Sequence, residues 1–266
     1  MGLQAILLIF VLVLAALLAL LRVFSADIYD AVIVWMTARW YAAVFTQLRN
    51  GDRVLDVGIG TATALVKNKA LLLEKRLSVV GIDYEAAYVR KAEVVLQAAD
   101  LWRAAPPDTK GYRPGERYCC VLEGSIYDSD LAALCDDDPT VKSNASQVKD
   151  VPQERRFDAA YFSGSLTVMP DPVEALRAVV PLVKSDGRIF ITQTFNKKKS
   201  PVMTVVKPLL KYLTTIDFGQ LTTLEDLERI IVDAGLFETV RNDPIEGSMD
   251  TPWQVARIIE LRVKKS

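Results

Sequence analysis

Two aspartates and two glycines hold the positions in this sequence that most readily suggest chemistry. Asp56 lies in the apolar run Arg53 to Val57, Gly58 and Gly60 follow at once, and Asp83 ends a second apolar run. Glycine has no Cβ, so a turn built on Gly58 and Gly60 lets the backbone approach a ligand closely. A carboxylate that ends the next strand can accept hydrogen bonds from both hydroxyls of a ribose. The spacing therefore predicts a site for a molecule with an adenosine-like end.

Alternating strands and helices must position these residues. The sequence predicts seven strands, at Arg53 to Val57, Leu77 to Asp83, Tyr118 to Leu122, Phe157 to Phe162, Arg188 to Thr194, Phe237 to Arg241 and Gln254 to Val263. It predicts helices at Ala26 to Leu48 (one or two), Thr63 to Lys75, Glu85 to Arg103, Asp128 to Leu134, Pro172 to Val183 and Thr223 to Ala234. We expect a Rossmann-like, doubly wound α/β fold, with a mostly parallel seven-stranded sheet and an antiparallel edge strand. The last two strands have no helix between them, so we expect them to pair antiparallel.

Composition narrows the chemistry. The 266 residues include no histidine, which removes the commonest general base near neutral pH and the commonest metal ligand. The three cysteines have no CxxC spacing, so we expect no metal site and a reducing compartment. The 33 acidic and 32 basic residues nearly balance, and composition gives no argument for a nucleic-acid partner.

The N-terminal segment predicts a membrane anchor. Residues 1–21 carry no charged side chain, and Ala5 to Leu21 is almost entirely aliphatic. About 20 helical residues span a hydrocarbon core of roughly 30 Å. A cleaved signal peptide would begin with a basic region, which Met1 to Gln4 lacks. The first basic residues follow the span, so we expect a single-pass protein with its catalytic domain in the cytoplasm.

The chain then divides into an anchor at 1–24 and one α/β domain at 25–266. Residues 136–156 are polar and predict a flexible insertion. Residues 196–220 combine three consecutive lysines with an apolar stretch, so they predict either a lid or a membrane-facing insertion. An ordinary solvated loop and packed helix is the alternative for that segment.

The motif around the glycine turn distinguishes two nucleotide-binding classes. A dinucleotide fingerprint would place its third small residue at Thr63, where it fits poorly. The run Asp56-Val57-Gly58-Ile59-Gly60-Thr61-Ala62 instead resembles the first motif of the class I S-adenosylmethionine-dependent methyltransferases. Gly81-Ile82-Asp83-Tyr84 resembles their second motif, Phe157 to Phe162 their fourth strand, and Leu182 to Ile189 the approach to their fifth strand. The resemblance covers roughly residues 50–195 in four ordered motifs.

This resemblance implies S-adenosylmethionine as cofactor and a set of binding residues. The implied residues lie on the glycine turn and after the second, third and fourth strands: Asp56, Gly58, Gly60, Thr61, Asp83, Tyr84, Ser125, Ile126 and Ser163. The chain departs from the family in two places, with Ser125 where an acid often faces the adenine amino group, and Ala62 in the third glycine position. The resemblance also implies that Ser165 and Thr167 are candidates for contact with the substrate or cofactor and that Tyr29, Trp40 and Tyr41 are candidates to close over the cofactor, with ordinary core packing as the alternative for these three aromatics.

The predicted reaction is methyl transfer to a small, hydrophobic or lipid-like acceptor. The cofactor supplies the reactivity and the protein supplies position, which suits a chain without histidine. The sequence assigns no catalytic residue, acceptor atom or oligomeric state. Two alternatives stay open: a nicotinamide-dependent reductase, for which no convincing Tyr-x-x-x-Lys is present, and a catalytically silent S-adenosylmethionine-binding scaffold at the membrane.

Overall fold

The computed structural model describes residues 33–102, 119–135, 152–197 and 222–264. Its strands are β1 Arg53–Val57, β2 Ser78–Asp83, β3 Cys119–Glu123, β4 Phe157–Ser163, β5 Val183–Asn196, β6 Phe237–Pro244 and β7 Gln254–Val263. Its helices are α1 (residues 33–47), α2 Thr63–Val66, α3 Lys69–Glu74, α4 Ala86–Ala98, α5 Leu131–Leu134, α6 Pro172–Val179 and α7 Leu224–Ala234. Short 3-10 turns lie at Gln153–Arg155, Leu166–Val168 and Val180–Leu182.

The seven strands form one sheet in the order β3-β2-β1-β4-β5-β7-β6. The first five are parallel, which confirms the predicted doubly wound arrangement. From β1 the chain winds outward in both directions, so β1 and β4 flank the point at which the strand order reverses. In open parallel sheets, ligands bind at the carboxyl ends of the strands at such a point.

The antiparallel strand lies in a different place from the one predicted. β7 runs antiparallel to both β5 and β6, as the missing helix between the last two strands indicated. It lies second from the edge, however, and β6 forms the edge itself. The reason is the crossover through α7, which returns β6 parallel to β5, so that the following hairpin inserts β7 between them.

Both faces of the sheet are covered. Every residue of β1 and β2 is buried, as expected for strands with helices on both sides. One core cluster contains residues of α1 and α4 and includes Trp40 and Phe45. The other contains residues of α5, α6 and α7 and includes Leu176 and Ile231. Successive strand side chains point to opposite faces, so α1 lies on the face to which Asp56 points.

The helix predicted at Thr63 to Lys75 is interrupted. The segment forms two separate helices, α2 and α3, because Asn68 interrupts the helical hydrogen bonds of the backbone. Its side-chain amide donates to Ala64 O at 3.1 Å and to Ala38 O at 2.8 Å, while its backbone N–H donates to Leu65 O. Asparagine side chains that bond to nearby carbonyls compete with helix formation in this way.

Several predicted features fall outside the described ranges. The anchor at 1–24 is one, and most of the insertions at 136–156 and 196–220 are others. Within the four described ranges, every helix is too short or too polar to cross a bilayer.

Candidate functional site

The structure brings the glycine turn and the two aspartates together at the carboxyl ends of β1 and β2. Gly58 N–H donates to Ile82 O at 2.9 Å, which ties the turn to the end of β2. Asp83 accepts from Gly60 N–H through one oxygen and from Glu85 N–H through the other, both at 3.0 Å. The Asp83 carboxylate therefore organises the turn and the start of α4, and it keeps lone pairs for a further donor.

The two glycines are required for different reasons. Gly58 has φ +77°, and a Cβ there would lie 2.7 Å from the Cβ of Ser165. Ser165 in turn donates its hydroxyl to Val57 O at 2.5 Å, so β1 and β4 approach closely at this point. Gly60 has φ +60°, and a Cβ there would have no atom within 4 Å. The space beside Gly60 is open, as a surface that a ligand approaches needs to be.

Asp56 is fully buried and bound on one side only. The Tyr41 hydroxyl donates to Asp56 Oδ2 at 2.5 Å. Burial raises the pKa of Asp56 to about 7, the bond from Tyr41 opposes that rise, and the neighbouring Asp83 adds to it. Burial, with the carboxylate beside it, holds the pKa of Tyr41 well above its usual range, so Tyr41 stays a donor.

Four polar side-chain atoms on or just after β1, β4 and β5 lack a partner within the described part of the chain. Asp56 Oδ1, Ser163 Oγ, Thr167 Oγ1 and Gln193 Oε1 are buried and have no hydrogen-bond partner of normal geometry among the described residues. Such groups cost free energy unless a ligand or water satisfies them, so these four are candidate contacts for a polar part of a ligand. Asp56 and Ser163 were predicted from the sequence as binding residues, and Thr167 as a substrate or cofactor contact.

A second tyrosine, Tyr161, lies next to Tyr41. These two tyrosines, with Asp56, Ser163 and Thr192, form what we call the polar cluster. Tyr161 on β4 is fully buried, and its hydroxyl lies 2.8 Å from Thr192 Oγ1 on β5. Its ring meets the edge of the Tyr41 ring at a centroid distance of 5.0 Å. Burial raises the pKa of Tyr161, and the nearby hydroxyls of Ser163 and Thr192 oppose the rise. Both phenols therefore remain neutral hydrogen-bonding groups near pH 7.

The remaining predicted residues lie around this centre with different exposure. Thr61 Oγ1 lies 2.8 Å from Thr63 Oγ1 at the start of α2. Tyr84 is 80% exposed beyond Asp83. Ser125 makes a local turn, in which its N–H donates to Asp128 Oδ2 and its hydroxyl accepts from Tyr127 N–H. The loop after β3 therefore does contain an acid, but Asp128 supplies it rather than residue 125.

Ile126 and Ala62 occupy more constrained positions. Ile126 is 5% exposed and packs in the core cluster beneath β3, with Leu131 and Val80. Ala62 adopts φ 56°, the left-handed conformation that the glycine of the family pattern takes freely. Alanine therefore preserves the shape of the turn at some cost in backbone strain.

Helix α1 packs on the face of the sheet to which Asp56 points, and its residues Trp40 and Tyr41 are buried in the core cluster there, so core packing accounts for both. Their closing over a cofactor stays a prediction. The Trp40 ring packs against Gly164, where a Cβ would lie 3.2 Å from a ring carbon. Trp40 Nε1 donates to Ser248 Oγ at 3.0 Å, which joins α1 to the β6–β7 loop. Tyr29 lies outside the described residues. The sequence did not single out Gln193 and Thr192, because lone polar residues within a strand form no pattern.

Other features are separate from this centre. Two cavities, of about 470 and 410 Å³, lie between α1 and β6 and beside the start of α7, and their linings contain none of the predicted binding residues. Among the described residues, no group of three acidic or cysteine side chains is placed to hold a metal ion. Cys119, Cys120 and Cys135 are buried free thiols.

Comparison with known proteins assigns this chain to a family. The family profile described as a methyltransferase domain matches residues 29–238. The mitomycin 7-O-methyltransferase MmcR superimposes with a TM-score of 0.53 at 15% identity, over 87% of this chain and 54% of that one. A search of curated proteins finds no match.

Two further solved structures show the same fold. The O-methyltransferase NcsB1 of neocarzinostatin biosynthesis, solved with S-adenosyl-L-homocysteine and 1,4-dihydroxy-2-naphthoic acid, has a TM-score of 0.51 at 18% identity, over 84% of this chain and 53% of that one. The [4+2]-cyclase SpnF has a TM-score of 0.57 at 14% identity, over 86% and 82%. This chain spans about half the length of the two O-methyltransferases.

Proposed function

We propose that this chain, which belongs to the methyltransferase-domain family, is an S-adenosylmethionine-dependent methyltransferase whose acceptor is a small apolar or lipid-like molecule that it meets at a membrane. We further propose that residues 1–24 anchor it, with the catalytic domain in the cytoplasm.

The observation that carries the cofactor assignment is the incomplete bonding at the carboxyl ends of β1 and β2. Asp83 has lone pairs left for ribose hydroxyls, Gly60 borders open space, and Asp56 Oδ1 is a buried carboxylate oxygen that no described residue supplies with a donor. Asp56 would attract the cationic end of the cofactor, whose sulfonium supplies the electrophilic methyl group. A cation near Asp56 would also lower its pKa towards the usual range.

In the proposed reaction, the described residues orient the reactants and exclude water from the site. Trp40, Tyr41 and Tyr161 exclude water from the polar cluster, since all three are buried. Neutral tyrosines donate or accept hydrogen bonds but do not remove protons near pH 7. An acceptor that is a strong nucleophile, or that has already lost its proton to bulk water before it binds, needs no more than this orientation.

The apolar character of the acceptor is supported by two features. Trp40 packs against Gly164 just after β4, Met169 lies beside Gly58, and the neighbouring Val168 is exposed. The aliphatic run in residues 5–21 would hold the domain where lipid-phase molecules are concentrated. The naphthoic acid bound by NcsB1 shows that this fold accommodates a flat, largely apolar molecule in that enzyme.

The test begins with cofactor binding by the full chain in lipid nanodiscs. Calorimetric titration should give binding of S-adenosylmethionine and S-adenosylhomocysteine, and none of NADPH. Binding of NADPH alone would overturn the assignment in favour of a reductase. Transfer of a radiolabelled methyl group should then occur with a lipid extract of membranes and not with the protein fraction.

The same assay separates catalysis from binding alone. Cofactor binding without transfer to any extract would favour the silent scaffold. Transfer to the water-soluble fraction only would disprove the apolar acceptor while leaving the enzyme assignment in place.

A further inference from the structure

Two of the four tryptophans of this chain are exposed, and both lie at the carboxyl edge of the sheet. Trp253, in the β6–β7 loop, is 75% exposed, and Trp35, in the first turns of α1, is 51% exposed. Trp40 is buried in the core, and Trp102 is partly buried and packs against it. Large exposed aromatic side chains on one side of a domain indicate an interaction surface.

A chain of contacts joins the two exposed tryptophans. The Arg39 guanidinium lies 4.4 Å from the centre of the Trp35 ring and packs against Gly247. Lys197 bridges to Asp250 at 2.7 Å, and its N–H donates to Trp253 O at 2.8 Å. We call this surface, made of Trp35, Arg39, Lys197, Asp250 and Trp253 around the 245–253 loop, the tryptophan face.

Two segments whose composition suits a bilayer are linked to the fold next to this face. Trp35 follows the aliphatic run of Ala5 to Leu21 by 14 residues. Lys197, where β5 has just ended, precedes the lysine-rich and apolar segment 198–221. The two segments whose composition suits a bilayer are therefore both attached beside the exposed tryptophans.

The charges of the face indicate which kind of membrane surface it suits. Arg39 and Lys197 are its cations, and Asp250, with Glu246 nearby on the same loop, opposes them. The face is close to neutral, so attraction to anionic lipid contributes little. Tryptophan side chains favour the headgroup region of a bilayer, where the ring is buried and the N–H stays hydrated.

We propose that the tryptophan face lies in the headgroup region of a phospholipid bilayer. The inference rests on the proposed function and specifies it further, because it sets the carboxyl edge of the sheet towards the lipid. Trp40 connects the face to the site, since it bonds to Ser248 on the loop and packs against Gly164 at the end of β4. An acceptor leaving the bilayer at this face has a short route to Ser163 and Gln193.

Intrinsic fluorescence tests this orientation, because all four tryptophans lie in the described residues. The full chain is placed in phosphatidylcholine nanodiscs with and without brominated acyl chains, which quench tryptophans at the bilayer. We expect bromine-dependent quenching in the wild type. We expect W253F and W35F each to remove about half of that quenchable signal, and the double variant to abolish it.

W102F is the matched control, since Trp102 lies beside Cys119 at the amino end of β3, the opposite edge of the sheet. It should leave the quenchable signal unchanged. Quenching that persists in the double variant, or falls with W102F, would overturn the proposal. Absence of quenching in the wild type would also overturn it, and would mean that a second copy or residues 198–221 cover the face.

The measurement needs neither cofactor nor acceptor. Docking without methyl transfer would therefore fault only the proposed function, and methyl transfer to lipid without quenching would fault only the docking face.

Discussion

The hydroxyl of Tyr41 lies 2.5 Å from a carboxylate oxygen of Asp56, and this bond joins α1 to the strand that leads into the glycine turn. It is a polar link between α1 and the centre of the sheet, and both side chains are buried in the core. The other carboxylate oxygen, Asp56 Oδ1, has no donor among the described residues. The protonation state of Asp56 therefore links the stability of the fold to pH and to ligand binding.

Replacing Tyr41 with Phe should destabilise the protein mainly at high pH. The variant leaves a buried carboxylate without its donor, which costs about 1–3 kcal/mol, and more when the carboxylate is ionised than when it is protonated. Urea unfolding at about pH 5 and about pH 9 measures the difference, since Asp56 titrates between these values at about 7.

Tyr161→Phe is the control for that experiment. It removes a buried hydroxyl of the same kind, which bonds to Thr192 rather than to a carboxylate. Its cost should be the same at both pH values. A cost for Tyr41→Phe that is equally independent of pH would show that Asp56 does not titrate as inferred.

Replacing Asp56 with Asn should change how stability depends on pH. Because burial raises the pKa of Asp56 from 3.8 to about 7, the native state binds a proton more tightly than the unfolded state. Stability therefore falls as pH rises between about 4 and 7, by an amount on the order of 2–4 kcal/mol, and stays low above that window. Asn keeps an acceptor for Tyr41 and removes this loss.

The measured quantity is the difference in unfolding free energy between wild type and Asp56→Asn across the window. The variant should gain on the wild type as pH rises and be the more stable protein at about pH 8. It should also bind S-adenosylmethionine more weakly, because the charge is lost. A difference that does not vary with pH would contradict the raised pKa.

Replacing Gly60 with Ala should weaken cofactor binding far more than its effect on folding explains. Gly60 and Gly51 both have positive φ, of 60° and 85°, and a Cβ at either position would have no atom within 4 Å. Alanine at either position should cost about 1–2 kcal/mol of backbone strain. Only Gly60→Ala should lower affinity for S-adenosylhomocysteine, by about tenfold or more, in calorimetry.

Equal losses of affinity in the Gly60→Ala and Gly51→Ala variants would show that strain, and not ligand approach, decides the result. The comparison is informative because the two sites match in conformation and free space, while only Gly60 borders Asp83.

Replacing Asp83 with Asn should reduce cofactor affinity by about 10–100-fold, the usual effect of losing a charge-assisted bond. Asp83 also holds Gly60 and Glu85 N–H groups, so the loss alone does not identify the ribose. A 2′-deoxy analogue of S-adenosylhomocysteine completes a double-mutant cycle. The wild type should discriminate against the analogue and the variant should not, whereas equal discrimination by both would place the hydroxyl elsewhere.

The sequence predicted those parts of the site that depend on neighbours along the chain. β1, the glycine turn and Asp83 form a local pattern, and the structure has them in contact. The partner of Asp56 was named only as one of several covering aromatics, because fifteen residues separate it from Tyr41 and only packing brings them together. No sequence pattern singled out Gln193, because its neighbours Trp40 and Gly164 come from other elements of the fold.

Errors in the fold prediction have the same origin. The break between α2 and α3 arises from a bond of Asn68 to Ala38, thirty residues away. The position of β7 follows from where a crossover helix returns the chain, which composition does not encode. Local patterns thus predicted element type, and distant contacts decided boundaries and order.

The insertion of β7 between β5 and β6 also constrains the order in which this sheet can be assembled. Among the described strands β6 pairs with β7 alone, so during synthesis it has none of these partners until residues 254–263 have left the ribosome. Until then β5 presents an unpaired edge with the apolar residues Phe190, Ile191 and Phe195. A nascent or truncated chain that stops before residue 254 is therefore a client for chaperones rather than a smaller version of the domain.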